Sequence, residues 1–133
     1  MQNDEERAKE EINKKTLLYY EGLKEHDFSK IKKAFWLDAK IIGVTGKGDF
    51  MIHTTKEWEE RFKNPPKKHP NMIHQDKIIE HIDIAENAAI VKFKWITEFE
   101  EFTAEVIDYL SFLNIDSDWK IINKSWSSRQ TKK

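Results

Sequence analysis

Between Asp4 and about Glu25, positions Ile12, Thr16, Tyr19, Tyr20 and Leu23 recur at helical spacing with charged residues between them. That period predicts a first amphipathic helix, with Gly22 near its end as a stop signal. "HDFSKIKKAF" predicts a second, shorter helix, with Asp27 as N-cap and Phe28, Ile31 and Phe35 on one face. The period then changes. "AKIIGV" and "DFMIHT" flank "TGKG", which predicts a hairpin whose glycines supply the turn. In "TTKEWEERFKN" a threonine precedes an acid, Thr54 with Glu57 or Thr55 with Glu59, and Trp58 and Phe62 stand four apart. A capped third helix follows from that pattern, ended by Pro65-Pro66.

The remainder reads as β structure. "MIHQDKIIEHIDIAE", "AAIVKFKWITEFE", "FTAEVIDYLSFLNID" and "WKIINKSWSSR" are separated by Glu86-Asn87, an acidic link near Glu100 and Asp116-Ser117-Asp118, as expected for an antiparallel meander. In the second of these, Val91, Phe93 and Trp95 alternate with Lys92 and Lys94, so one face is buried and the other wet. The third has no wet face. Val106, Leu110 and Phe112 point one way, and Ile107, Tyr109, Leu113 and Ile115 the other. Helices cover one side of such a sheet, and the other needs a second cover. A homodimer through the outer sheet face is the expectation, with a long helix packed there as the alternative.

A single carboxylate, Asp108, stands inside this most hydrophobic strand. Burial there penalises the charged form unless a cation or N–H donors compensate. Two readings stand: a protonated donor at a pocket wall, or an ordinary aspartate bonded to a lysine, a tyrosine or backbone. A one-residue slip of the strand would move it from the inner face to the outer one.

With 133 residues the chain fits one domain, 1–133, with residues 130–133 expected as a frayed tail. Apolar residues make up 38% and charged residues 35%, a composition that folds rather than stays disordered. Lys plus Arg number 23 against 24 Asp plus Glu, a net charge of -1 that gives no general attraction to nucleic acid or an anionic membrane. The absence of cysteine excludes disulfides, thiolate metal sites and a cysteine nucleophile. The charged start "MQNDEERAKEEINKK" has no apolar leader and no run reaches the ~20 apolar residues of a membrane span, so a cytoplasmic protein is expected. Asn123-Lys124-Ser125 matches a glycosylation sequon by chance on that reading.

The order helix, helix, hairpin, helix, meander, with "YYEGLKEHDFSKIKKAFWLDA" early and "DYLSFLNIDSDWKIINKSW" late, resembles the nuclear transport factor 2-like superfamily. Within it the chain looks closest to the lumazine-binding and SnoaL-like branches. The motifs are the Tyr and Gly late in the first helix, the acid opening the second, "DA" entering the sheet, and a Trp in the final strand. The resemblance implies an α+β cone, a curved antiparallel sheet wrapped around N-terminal helices with a deep pocket, and dimerisation. It leaves function open between enzymes, binders and transport factors. Laid without gaps, ketosteroid isomerase puts its tyrosine on Tyr19 and its neutral aspartic acid on Asp108, the pair that grips an oxyanion. Its general base falls on Gly43, where no proton can be taken. Related sequences usually carry His-Pro where this chain reads Trp36-Leu37.

The candidate ligand-binding residues are therefore Tyr19, Trp58, Trp95, Asp108 and Asn123, the last taken to share a strand face with Ile121 and Ser125. Trp36, Phe62 and Phe93 could line the same cavity or simply be core. Candidate catalytic residues are Tyr19 and Asp108, with His53, His74 or Asp49 as substitutes for the missing base. His74 alternates with Asp76, but neither histidine has metal-site company, so no metal and no cofactor are expected. Lys63, Lys67, Lys68 and His69 form a local basic cluster, read as a solvated loop or a flap over the pocket. The expected partner is a small organic ligand, with isomerase- or dehydratase-like chemistry or a protein-interaction dimer as the alternatives.

Overall fold

The structure, a computed structural model, describes residues 3–64 and 72–133. The expected stop at Pro65-Pro66 and the cluster of Lys67, Lys68 and His69 lie outside the described residues. Helix α1 runs Asp4–Glu25; the Asn3 side chain accepts from the Glu6 amide, and Asp4, Glu5 and Glu6 sit in the first turn. Both features favour the positive end of the helix dipole. His26 adopts a left-handed conformation and closes the last turn on the Gly22 and Leu23 carbonyls. Helix α2 (Phe28–Ala34) starts at Asp27, whose carboxylate accepts from Ser29. Gly22 is required by packing: a Cβ there would lie 2.7 Å from the Ile31 side chain and 2.9 Å from the Asp27 carbonyl oxygen.

Strands β1 (Phe35–Val44) and β2 (Phe50–Thr54) form the expected antiparallel hairpin. Helix α3 (Thr55–Arg61) opens with a capping box, which places the cap at Thr54 with Glu57 rather than at Thr55. Then come β3 (Met72–Ala85), β4 (Ala88–Phe99), β5 (Phe102–Ile115) and β6 (Asp118–Lys132), joined as an antiparallel meander. Asp116 and Ser117 both have positive φ, which suits the two-residue turn joining β5 to β6. The sheet order is β2-β1-β6-β5-β4-β3.

Two points differ from expectation. The sheet is mixed, because β1 lies parallel to β6. Gln130–Lys132, expected to fray, continue the β6 ladder, with Lys132 opposite Phe102; the length of β5 gives this tail a partner.

Cross-strand pairing fixes the two faces. Asp108 stands opposite Phe93 on β4 and Trp126 on β6, while Tyr109 stands opposite Lys92 and Ser125. The first face carries the core under the helices: Ile12, Tyr19 and Ile31 pack with Val91, Phe93, Leu110, Phe112 and Ile121. The second leaves Val44, Phe50, Ile52, Ile78, Ile90 and Tyr109 exposed. Asp108 therefore lies on the inner, helix-covered face. Among the described residues no helix is long and apolar enough to cross a membrane.

Candidate functional site

Helix α1 aims Tyr19 at the middle of β5, where its hydroxyl donates to Asp108 Oδ2 at 2.7 Å. Both side chains have 0% exposure. Burial, then the charge of Asp108, then the hydrogen bond to it raise the Tyr19 pKa well above its ordinary value. The Tyr19 ring meets Phe35, Trp58 and Phe93 edge-on at 5.4, 6.2 and 6.4 Å between centroids. The other carboxylate oxygen, Asp108 Oδ1, is buried without a hydrogen-bond partner. A buried acceptor left open is unusual enough to mark a place for a water or a ligand.

The residue that the sequence reading missed is Lys124. Its stem lies between Leu110 and Ile41 in the cross-strand row. Its ammonium stands 5.0 Å from the Tyr19 ring centre, 4.9 Å from Trp58 and 5.4 Å from Trp126. Such faces attract a cation. Burial nevertheless lowers the Lys124 pKa, opposed by the charge of Asp108. Among the described residues no carboxylate lies within ion-pair distance, 4.0 Å, of this amine.

Trp126 also accounts for Gly43. A Cβ at Gly43 would lie 2.7 Å from three carbons of the Trp126 ring. The position that holds the base in the resembling isomerase is thus taken up by indole, and a carboxylate there would have to displace it.

The other candidates fall in different places. Trp58 joins the site directly. Trp95 lies on the inner face, edge-on to Tyr20 at 6.2 Å, with a buried indole N–H that has no partner. His53 is on the inner face, in the same row as Ile41 and Lys124; its Nδ1 lies 3.7 Å from Glu57, and neither ring nitrogen has a hydrogen-bond partner. His74 pairs with Glu98, Asp76 with Ile96, and both face outward and are exposed. Asp49 is exposed beside the hairpin turn.

Asn123 pairs with Ser111 and Lys40 on the outer face. The register shift between Ser111 and Phe112 leaves Ile122 as an extra residue in β6, so Ile121 faces inward and Asn123 and Ser125 outward. The sequence placed all three on one face because alternation cannot register an inserted residue.

The inner face is not sealed along its whole length. Met51, His53, Trp58, Trp95, Val106, Lys124 and Trp126 are all half-buried. Trp36 and Leu37 belong elsewhere, to a groove of about 480 Å3 between α2, β1 and α3 that Lys32, Lys56 and Lys120 also line. That groove takes in none of Tyr19, Trp58, Trp95, Asp108 and Asn123, so Trp36 does not share their surroundings.

Helices followed by a curved, unclosed six-stranded mixed sheet give the protein the nuclear transport factor 2-like fold. Residues 7–127 match the family described as "Putative lumazine-binding", and the chain belongs to that family. A nuclear transport factor 2-like protein of unknown function from Shewanella baltica superposes with a TM-score of 0.74 at 21% identity, over 94% of this chain and 96% of that one. A protein described as a putative ketosteroid isomerase, from Shewanella frigidimarina, gives 0.66 at 14% identity over 87% and 94%. The CaMKII hub of S. rosetta gives 0.69 at 10% identity over 90% and 95%. Identities this low show the shared fold. Among curated proteins none matches the chain in sequence.

Proposed function

We propose that this protein binds a small organic molecule at the open end of its inner sheet face, against Trp58, Trp126 and the Tyr19–Asp108 pair. The observation that carries this reading is the unpartnered Asp108 Oδ1 buried beside a tyrosine that already donates to Oδ2. Lys124 offers N–H donors from the same face with no carboxylate in reach, and two indoles flank it. A free buried acceptor, a free donor and flat apolar walls suit a ring system with hydrogen-bonding groups on its edge. The family's description names lumazine, a flat heteroaromatic, which supports that ligand class without fixing the compound.

An isomerase-like activity is the weaker reading, because Trp126 fills the space over Gly43. Of the substitute bases only His53 stands on the inner face. The Tyr19 proton is also directed at Asp108 rather than toward a shared acceptor. The test is a panel of phenols, aromatic carbonyl compounds and fused heteroaromatics titrated against tryptophan fluorescence. Saturable quenching that weakens in Asp108→Asn supports the binding reading. A folded protein whose fluorescence responds to none of them, or responds equally after the substitution, refutes it.

The outer face favours self-association. Val44, Phe50 and Ile52 are exposed on the paired strands β1 and β2, and Tyr109 is exposed on the same surface beyond Ser125 of β6; exposed apolar side chains grouped on one face mark interaction sites. We infer a homodimer formed through this face.

A further inference from the structure

Lys124 carries chemistry that ligand binding alone does not need. We propose that its side-chain amine is a nucleophile that condenses with an aldehyde or ketone held at the aromatic mouth, forming an imine with the protein. The inference rests on the binding reading above and assigns its ligand a reactive carbonyl.

Three features of the geometry support it. The Lys124 stem is held between the buried Leu110 and Ile41, so the amine is directed into the site rather than waving in solvent. Its end is ringed by Tyr19, Trp58 and Trp126, flat walls against which an aromatic carbonyl compound can stack. Its nearest anionic influence, Asp108, is engaged by Tyr19 and forms no ion pair with it. An amine desolvated in this way spends more time unprotonated than a surface lysine, and the free base is the nucleophile. The ionisable groups facing it are Tyr19 from α1, Asp108 from β5 and His53 from β2, with Glu57 of α3 beyond His53.

In the reaction the lone pair of Lys124 Nζ forms a bond to the carbonyl carbon, and the C=O π pair moves to oxygen. A solvent water relays the first proton that the nitrogen sheds to Asp108 Oδ1, open in the structure, and on to the alkoxide, giving the neutral carbinolamine. The second N–H proton follows the same route to the hydroxyl oxygen, which leaves as water as the nitrogen lone pair forms C=N. One water is released and nothing is oxidised or reduced.

The test incubates the intact protein near neutral pH with benzaldehyde and sodium cyanoborohydride, which reduces any imine to a stable benzyl-amine, followed by peptide mass mapping. Lys124 should be labelled several-fold faster than the exposed Lys47 and Lys56. Asp108→Asn should slow labelling of Lys124 and change its pH profile without affecting Lys47. Labelling of Lys124 no faster than that of the exposed lysines overturns the proposal. Lys124→Arg keeps the charge but is no nucleophile, and it separates the two claims. Saturable quenching by benzaldehyde that Lys124→Arg leaves unchanged, without adduct at Lys124 in the native protein, sinks the imine and leaves the binding site standing. No saturable quenching in either protein sinks both.

Discussion

Replacing Tyr19 by phenylalanine removes one oxygen and nothing else from a site with 0% exposure. The Tyr19–Asp108 bond is 2.7 Å long and joins residues 89 apart in sequence, so it fastens α1 to the centre of the sheet. Its loss leaves Asp108 with both carboxylate oxygens unpartnered, since Oδ1 has no partner already. A hydrogen bond to a charged group contributes about 1.5–3 kcal/mol, and a buried acceptor stripped of its donor adds its own desolvation cost. For a domain of this length each kcal/mol lowers Tm by about 3–4 °C, so Tyr19→Phe should lose about 5–10 °C. Tyr20 supplies the internal control: it donates to the neutral Gln75 side chain at 2.6 Å in a partly buried bond. Tyr20→Phe should cost about 1 kcal/mol. Urea unfolding of the two variants side by side, with unchanged m-values, gives the comparison directly. If Tyr19→Phe costs no more than Tyr20→Phe, the buried charge-assisted bond assigned here does not exist in solution.

Gly43→Ala brings a Cβ to 2.7 Å from the Trp126 ring and should destabilise by about 1–3 kcal/mol with a shift in tryptophan emission; an unchanged spectrum and Tm would mean the indole does not pack there. Thr54→Ala removes the side-chain half of the α3 capping box and should cost about 1 kcal/mol by urea titration. Tyr19, with its pKa raised above 10.0, should contribute stability that is full below pH 10 and is lost as pH rises further, because the unfolded chain ionises first. Lys124, lowered from 10.5, has the opposite sign: the unfolded chain binds the extra proton, so stability rises with pH from the lowered native value toward 10.5, and Lys124→Met should abolish that rise in denaturant midpoints measured across the range. Tyr109→Glu on the outer face should convert a dimer to a monomer in light scattering, and a native protein already monomeric would refute the interface.

Much of this fold could be read from the order of apolar residues because each element announces itself locally. The α1 stripe, the Asp27 cap, the Thr54–Glu57 box and the Asp116-Ser117 turn all depend on neighbours within a few positions. The parallel pairing of β1 with β6 does not, since an apolar strand reads alike whichever direction its partner runs. Tyr19 and Asp108 drew notice because a carboxylate in an apolar strand costs free energy wherever it lies, although only the structure shows one donating to the other. Lys124 escaped for a particular reason. A lysine in a strand reads as belonging to the wet face, and the residue inserted at Ile122 exchanges the facing of every position after it. The same insertion took Asn123 out of the site and brought Lys124 and Trp126 in.

The parallel contact between β1 and β6 also bears on how the chain acquires its shape. β1 pairs with β2 across a short turn, but its other edge pairs with β6, which lies some eighty residues further along the chain, after β3, β4 and β5. Closing so long a loop before the pairing rewards it slows folding, and an unpaired strand edge is meanwhile open to other chains. The strand that completes the sheet is also the one that carries Lys124 and Trp126. The aromatic mouth is therefore complete only once that strand has docked.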